Sequence, residues 1–484
     1  MQLPDLVAAV TGRGLVDPAD LVVVDAASSG PELPIERATH DSRAAGPGTM
    51  YCCIPGALHD GHDFAAAAVA AGSPALLVER VLDLAVAQLV VPSVRRAIGP
   101  VCAVLEGVPS DRVAIVGITG TNGKTTITVL LSSIARAAGM RCGTIGTLTG
   151  ARTTPEAPVL QAELASMRDD GCELVVMEVS SHALAQHRVD GTRFRAAAFT
   201  NLSQDHLDFH TTMEEYFEAK ALLFEPDRTD LAVIDVDDDH GRRLAASVEV
   251  PVVACSLADA EELELRADGS RFRWRGQVIE LALPGRFNVA NALVAASLAD
   301  ALGIEPQAIA RGLADAGPIA GRFERVDVGQ PFLAAVDFAH TPDGLRQLLD
   351  AAREVTAGRV VLVFGAGGDR DRTKRPLMGA AAELADVVVL TSDNPRHEDP
   401  AEIIAGVRSG MAGGGHLVVE PDRRAAIAAA VALAEPGDCL LVAGKGHETT
   451  QTVGERTFPF DDRQELRAAL SALVGGQNPP ESSP

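Results

Sequence analysis

The run Val113-Ala-Ile-Val-Gly-Ile118 passes without a break into Gly117-Ile-Thr-Gly-Thr-Asn-Gly-Lys-Thr-Thr126, and no other stretch so narrows what this chain can become. The β-branched run reads as a buried strand, and the residues from Lys124 to about Ala138 read as a helix. Between them, glycines let backbone N–H groups turn inward around phosphate oxygens. The helix N-terminus adds partial positive charge, Lys124 a full one, and the Thr125 hydroxyl a ligand for Mg²⁺. A glycine turn that binds nothing is the bland alternative; the intact Gly123-Lys124-Thr125 and its flanks favour a nucleotide. The general phosphate-loop pattern has glycine where Ile118 stands, and here the first glycine comes one residue early.

Strand-to-helix alternation extends well beyond this loop. Strands are predicted at Leu174–Val179, Ala196–Leu202 and Leu231–Ile234, with a long helix over Asn288–Ala301. From about Arg322 the alternation restarts, with strands at Phe332–Phe338, Arg359–Phe364, Asp386–Leu390, His416–Val419 and Cys439–Val442 between Ala-rich helices. Such alternation predicts mainly parallel sheets covered on both faces. Earlier residues carry short β-rich pieces (Leu21–Val24, Ala75–Val78, Gln88–Val91), a helix near Phe64–Ala71, and a linker at Gly107-Val-Pro-Ser-Asp111. The whole is 484 residues, which at roughly 150 per domain gives about three domains. The expected division is 1–110, 111–320 and 321–474, with a disordered tail over 475–484.

At 47% apolar and 22% charged, the chain can fill several cores and is not a disordered protein. Its net charge of −24 argues against nucleic acid or an anionic membrane as partner, so local groups must hold any phosphate. Met1 to Gly14 lacks the pattern of a signal peptide, and no apolar run reaches the roughly 18–20 residues of a membrane span. Seven scattered cysteines without a CxxC pair fit a reducing compartment, so a cytoplasmic location is expected.

Several polar groups fall at predicted strand ends, where open α/β sheets bind ligands. Glu178 lies in Met-Glu-Val-Ser-Ser-His182, and a carboxylate there can hold Mg²⁺ on ATP phosphates; alone it could be a solvated loop charge. Thr200-Asn-Leu-Ser-Gln-Asp-His-Leu-Asp-Phe-His210 packs two histidines and two aspartates, either a functional cluster or a capping loop. Lys220, within Tyr216-Phe-Glu-Ala-Lys-Ala-Leu-Leu-Phe224, has the bland reading of a snorkelling surface lysine. Asn288 and Asn291 share a helix face behind Gly285-Arg-Phe287. Gly365-Ala-Gly-Gly-Asp-Arg370 lacks the third glycine of a dinucleotide fingerprint, and NAD binding is rejected.

Gly120-Thr-Asn-Gly-Lys-Thr-Thr126 resembles the phosphate loop of the Mur ligases and the related folylpolyglutamate synthases, and at least six motifs occur along the chain in Mur ligase order. The resemblance covers essentially the whole chain. It implies an α/β fold of three domains: an N-terminal UDP-binding domain, a central P-loop ATPase domain and a C-terminal Rossmann-like domain. It also implies amide-bond formation through an acyl phosphate, with ATP and Mg²⁺. By resemblance, Gly120, Thr121, Asn122, Gly123, Lys124, Thr125 and Thr126 hold the ATP phosphates. Asn288 and Asn291 flank the adenine, Arg322 reaches phosphate, Asp337 the ribose and His340 the base side. Thr125, Glu178, His206 and Lys220 are the implied metal ligands, Lys220 as an N6-carboxylysine formed with CO₂; Lys124, Glu178, His206 and Lys220 form the catalytic set. Ser42, in His40-Asp-Ser-Arg43, together with Thr153, Thr154, Ser181, His182 and Arg188, is implied to grip UDP-N-acetylmuramoyl-L-alanyl-D-glutamate.

Asp393-Asn-Pro-Arg396 and Gly444-Lys-Gly-His-Glu448 follow two buried strands. Asp-Asn-Pro is by itself a good turn. Within the family the four-residue form resembles that of members adding meso-2,6-diaminopimelate, and Arg370, Asp393, Asn394, Pro395, Arg396, Gly444 and Glu448 are then the implied amino-acid site. Diaminopimelate carries a distal carboxylate and ammonium, lysine only the ammonium. Arg396 can hold that carboxylate bidentately, and Glu448 can pair with the ammonium. His397 leaves the motif intact and receives no role. The expectation is an enzyme of peptidoglycan-precursor synthesis acting on small molecules. Open alternatives are an L-lysine-adding relative, a folylpolyglutamate synthase-like ligase, and a P-loop regulatory switch or assembly ATPase.

Overall fold

The computed structural model describes residues 1–24, 34–56 and 59–477. Three large sheets follow one another along the chain, each made from one continuous segment. In the first, Val22–Val24, Ala87–Val90, Ala75–Val78, Thr49–Cys52 and Arg37–Thr39 lie in that spatial order, parallel except for the outermost Val22–Val24. Side chains alternate between faces, so Met50, Cys52 and Leu77 meet helices Leu3–Gly12 and Val94–Leu105. Tyr51, Leu76 and Val78 face the helix Ala65–Ala70 on the other side.

The second sheet is wholly parallel, in the order Val252–Cys255, Ala232–Asp235, Ala196–Phe199, Ala114–Thr119, Leu174–Glu178, Cys142–Ile145. The chain builds to one side of Ala114–Thr119 and then crosses to the other. That strand is therefore the switch point, and the glycine loop leaves its carboxyl end. Helix Lys124–Ala137 follows where predicted and packs Ile127, Leu130 and Ile134 against helices Arg286–Ala301 and Pro306–Asp315. The antiparallel sheet Glu261–Arg266, Gly269–Trp274 and Gln277–Leu281 was not anticipated. Its inward Phe272, Trp274 and Ile279 complete the same core, while its outward residues are mostly charged.

The third sheet runs Glu324–Arg325, Leu333–Asp337, Cys439–Ala443, Val360–Phe364, Val387–Leu390, His416–Val419, antiparallel only at its two-residue outer strand. Its inner strands are uninterrupted apolar runs because helices cover both faces. Asp337, Phe364, Leu390 and Ala443 end four parallel strands at one edge, beside the hairpin Thr450–Val453 and Arg456–Pro459. The last helix, Asp462–Gln477, includes Gly475, Gly476 and Gln477, three residues expected in the tail. The rest of that segment, 478–484, lies outside the described residues.

The domains touch closely. A Cβ on Gly99, in the N-terminal domain's helix, would lie 2.1 Å from the Asp190 carbonyl oxygen of the middle domain. Only glycine permits that approach. No helix among the described residues is long and apolar enough to cross a membrane.

Candidate active site

The glycine loop is built for close approach. Gly123 has φ +89°, and a Cβ there would sit 2.3 Å from Asn291 Oδ1, so any other residue displaces the asparagine. Lys124 Nζ donates to the carbonyls of Gly120 and Thr121 at 2.8 and 2.9 Å. The Thr121 hydroxyl meets Tyr216 Oη at 3.2 Å, the Asn122 N–H donates to Asn201 Oδ1 at 3.0 Å, and Thr126 is buried in the first helical turn. The Thr125 hydroxyl donates to Glu178 Oε2 at 3.0 Å, and the Thr147 N–H and hydroxyl donate to the same carboxylate at 2.8 and 3.1 Å. Arg322 reaches across from the third domain and donates to Thr125 Oγ at 3.0 Å, with its guanidinium over the Phe338 ring.

Lys220 is 1% exposed and thus no snorkelling surface lysine. Its Nζ donates to Gly120 O at 2.8 Å and lies 4.5 Å from the Tyr216 ring centre. Burial, reinforced by the neighbouring Lys124, holds its amine well below the usual range. His206 has φ +57° and stands edge-on to His182 with ring centres 4.7 Å apart; His182 stacks on Phe209 at 4.2 Å. Burial lowers His206 to about 3 and also lowers His182. Both are neutral imidazoles able to offer a lone pair. Among the described residues no three His, Cys, Asp or Glu side chains converge as a ready-made metal cage. A single carboxylate beside a hydroxyl is nonetheless the donor set Mg²⁺ takes when phosphates and water complete its shell.

The other nucleotide residues divide. Asn291 lies against the loop, while Asn288 is fully buried and its amide donates to Pro284 O at 2.8 Å, fixing the turn into the helix. Asp337 accepts from the Phe323 and Ala339 N–H groups, both at 2.7 Å, so it braces the Arg322 segment as well as facing the cleft. His340 donates from Nδ1 to Phe338 O at 2.8 Å and turns Nε2 toward Asp205.

Towards the N-terminal domain, Thr154 donates to Glu178 O at 2.8 Å and Thr153 meets the Thr147 hydroxyl at 3.1 Å. Ser181 Oγ pairs with His210 Nε2 at 2.9 Å. Arg188 binds Thr154 O and Glu156, while its buried Nε has no partner among the described residues. Ser42 begins a short turn capped by Asp41, and the neighbouring His40 has a buried Nδ1 also lacking a partner. Such orphaned polar atoms at a domain junction point to a polar ligand.

The third domain's edge assembles the remaining residues. Arg396 has φ +52°, and its N–H donates to Thr452 O at 3.0 Å, which pins it to the hairpin. Its Nη1 donates to Gly368 O at 2.7 Å, beside the Arg370 loop, whereas the exposed Arg370 side chain reaches only Asp369 O at 3.2 Å. Burial, then the charge of Arg370, depress the Arg396 guanidinium, and an anion between the two arginines relieves that repulsion. Asp393 Oδ2 is buried with no hydrogen-bond partner among the described residues, and a Cβ on Gly444 would lie 2.6 Å from it. Pro395 closes the turn with its carbonyl against Gly368. Glu448 Oε2 accepts from Asn394 Nδ2 at 2.8 Å.

Three family models match in tandem: "Mur ligase family, catalytic domain" over 34–107, "Mur ligase middle domain" over 118–299, and "Mur ligase, glutamate ligase domain" over 321–446. The UDP-N-acetylmuramoyl-L-alanyl-D-glutamate–2,6-diaminopimelate ligase of Streptomyces coelicolor is 45% identical, across 96% of this chain and 98% of its own. The chain belongs to the Mur ligase family. A protein of the same description from Geobacillus thermodenitrificans is 44% identical over 89% of this chain and 94% of its own. A solved structure of a ligase so described is 33% identical, with TM-score 0.67, covering 93% of this chain and 98% of that one. A MurF ligase from Thermotoga maritima, in complex with ADP, shares the fold at 16% identity and TM-score 0.65, covering 92% and 99%.

Within this Mur ligase, several site residues escaped sequence reasoning. Thr147 supplies two of the three donors to Glu178, and Tyr216 backs both Thr121 and Lys220. Lys374 bonds Asp205 between domains, and Glu398 takes the Asp369 N–H together with Arg375 and Arg372. Positive φ at His206, Asp369 and Arg396 was invisible as well, since none is glycine; strained backbone of this kind gathers at functional sites. His397 does more than fill space: it pairs with Asp369 at 2.7 Å and ties the two arginine loops together.

Proposed function

We propose that this Mur ligase joins meso-2,6-diaminopimelate to UDP-N-acetylmuramoyl-L-alanyl-D-glutamate in the cytoplasm at the expense of ATP, in peptidoglycan-precursor synthesis. The observation that carries the reading is the group of side chains gathered at the third domain's strand edge. Arg370, Arg396, Glu448 and an Asp393 carboxylate oxygen that is buried with no hydrogen-bond partner among the described residues lie close together there. That set matches an amino acid with two carboxylates and two ammonium groups. A lysine would leave Arg396 without an anion, a loss of several kcal/mol when a charge-assisted contact is removed, or about 10²-fold or more in discrimination.

The residues divide the work. Lys124 and Arg322 neutralise the phosphoryl group as the substrate carboxylate attacks ATP to give an acyl phosphate. Arg188, Ser181 and the Thr153–Thr154 turn orient the peptide carboxylate, and Ser42 holds the nucleotide end. Arg370 steadies the carboxylate beside the reacting amine, which attacks the acyl carbon and expels phosphate. Asn291, Asn288 and Asp337 line the nucleoside. Thr125 and Glu178, with His206 and a carbamate on Lys220, would hold Mg²⁺, which would supply charge neutralisation at the phosphates. Burial, which favours the uncharged form of the Lys220 amine, suits carbamate formation, because only an unprotonated amine reacts with CO₂.

The test is phosphate release and product mass with ATP, Mg²⁺ and UDP-N-acetylmuramoyl-L-alanyl-D-glutamate, comparing meso-diaminopimelate with L-lysine. Diaminopimelate-dependent turnover is expected. Turnover with lysine keeps the ligase and discards the role of Arg396; none with either amino acid favours a folate-type ligase or a nucleotide switch.

A further inference from the structure

Lys445 follows Gly444 and is wholly buried in the third domain. Its ammonium has three acceptors: Asn394 Oδ1 at 3.2 Å, Glu448 Oε2 at 3.2 Å and Thr450 O at 2.6 Å. Every proton is used, so the head group has one orientation. Asn394 is fixed in turn, because Oδ1 takes Lys445 and the Thr452 N–H at 3.0 Å while Nδ2 donates to Glu448. Lys445 thereby links the Asp393–Arg396 turn, the Gly444–Glu448 loop and the first hairpin strand, the strand on which Arg396 hangs. Glu448 has Oε2 engaged twice and keeps a third of its side chain exposed.

We infer that Lys445 is a positioning residue for the amino-acid pocket: by bridging Asn394, Glu448 and Thr450 it sets the spacing between Glu448 and Arg396 that fits a diamino dicarboxylic acid. The inference rests on the diaminopimelate reading above. Its charge also counts. Removing a cation beside Glu448 makes the pocket more negative, which favours a net cationic amino acid such as lysine over zwitterionic diaminopimelate.

The experiment compares Lys445→Met and Lys445→Gln with the unaltered enzyme, each alone and with Glu448→Gln. The expected result is a rise of about ten-fold or more in KM for diaminopimelate, with KM for ATP within about two-fold and kcat within about three-fold. Preference over lysine should narrow. In the Glu448→Gln background Lys445→Met should add less than about three-fold, because coupled residues are not additive. An unchanged KM for diaminopimelate overturns the inference, as does an equal increment in both backgrounds. A uniform loss of every kinetic constant, or failure of both variants to fold, also overturns it, since such a lysine serves only the fold. If the unaltered enzyme ignores diaminopimelate while forming product with another amino acid, the function reading has failed first and takes this inference with it.

Discussion

Lys374 of the third domain places its ammonium 2.9 Å from Asp205 of the middle domain, and both side chains are nearly enclosed. Asp205 also lies 3.5 Å from the Nε2 atoms of His206 and His340. Burial opposes its charge, yet His340, Lys374 and His206 together hold the carboxyl well below the usual range. With Arg322 on Thr125 and Gln204 on Thr373 at 2.9 Å, this pair fixes the third domain over the phosphate loop.

Lys374→Met therefore strips Asp205 of its lysine partner in the domain interface, with His206 and His340 still beside it. Removing one partner of a buried pair costs about 3–5 kcal/mol, and the loss should appear as weaker domain docking. Expected are a fall in kcat of at least about ten-fold and a larger radius of gyration in solution scattering with ATP bound. Unaltered kcat and scattering would remove the pair from closure.

Arg396→Lys keeps the charge but loses the planar fork. Diaminopimelate kcat/KM should drop by about 10²-fold while ATP affinity is unchanged, because lysine cannot make the bidentate contact. Steady-state kinetics decide; unchanged diaminopimelate constants take Arg396 out of the pocket.

Lys220→Ala should abolish turnover, and millimolar formate or acetate should restore part of it, the small carboxylate replacing the carbamate. A fully active Lys220→Ala enzyme rules the carbamate out, and ¹³C-bicarbonate labelling of the unaltered protein gives an independent reading.

Stability should decline in mild acid. Burial lowers His210 and His447 each to about 4, and His447 Nδ1 is buried without a partner among the described residues. A histidine whose folded value is depressed binds fewer protons folded than unfolded. Its destabilising effect is therefore absent above about pH 6.5 and grows as pH falls from there toward 4. Urea midpoints measured between pH 7.5 and 4.5 should fall on acidification, and His447→Gln should flatten part of that slope. A slope unaffected by His447→Gln contradicts the assignment.

The strand, glycine loop and helix around Lys124 were legible because period, turn chemistry and length agree across one continuous run from Ala114 to Ala137. The parallel strands of the third domain were legible for the same reason: continuous apolar runs such as Val360–Phe364 have few other uses. The antiparallel sheet at 261–281 was missed because Glu-Glu-Leu-Glu-Leu-Arg reads as a solvated segment until Trp274 and Ile279 find the core. Individual motifs could be ordered by resemblance, but their partners could not. Asp205 and Lys374 are far apart in sequence, and nothing local in either says that they meet. Lys220 shows the limit most clearly, since a lysine in a helix gives no local sign that it will be 1% exposed.

Arg396 does not stand on the core of its domain. Its backbone is laced to Thr452 and Gly454 of a two-stranded hairpin whose second strand, Arg456–Pro459, is exposed along its length. The residues proposed to handle phosphate are instead rooted in the middle sheet, where Glu178 ends one central strand and Lys124 opens the helix that follows another. In the proposed reading, choice of building block and activation of the acid thus rest on different domains. Edits confined to the surface ribbon can then shift Arg396 while leaving the phosphate loop and its carboxylate untouched.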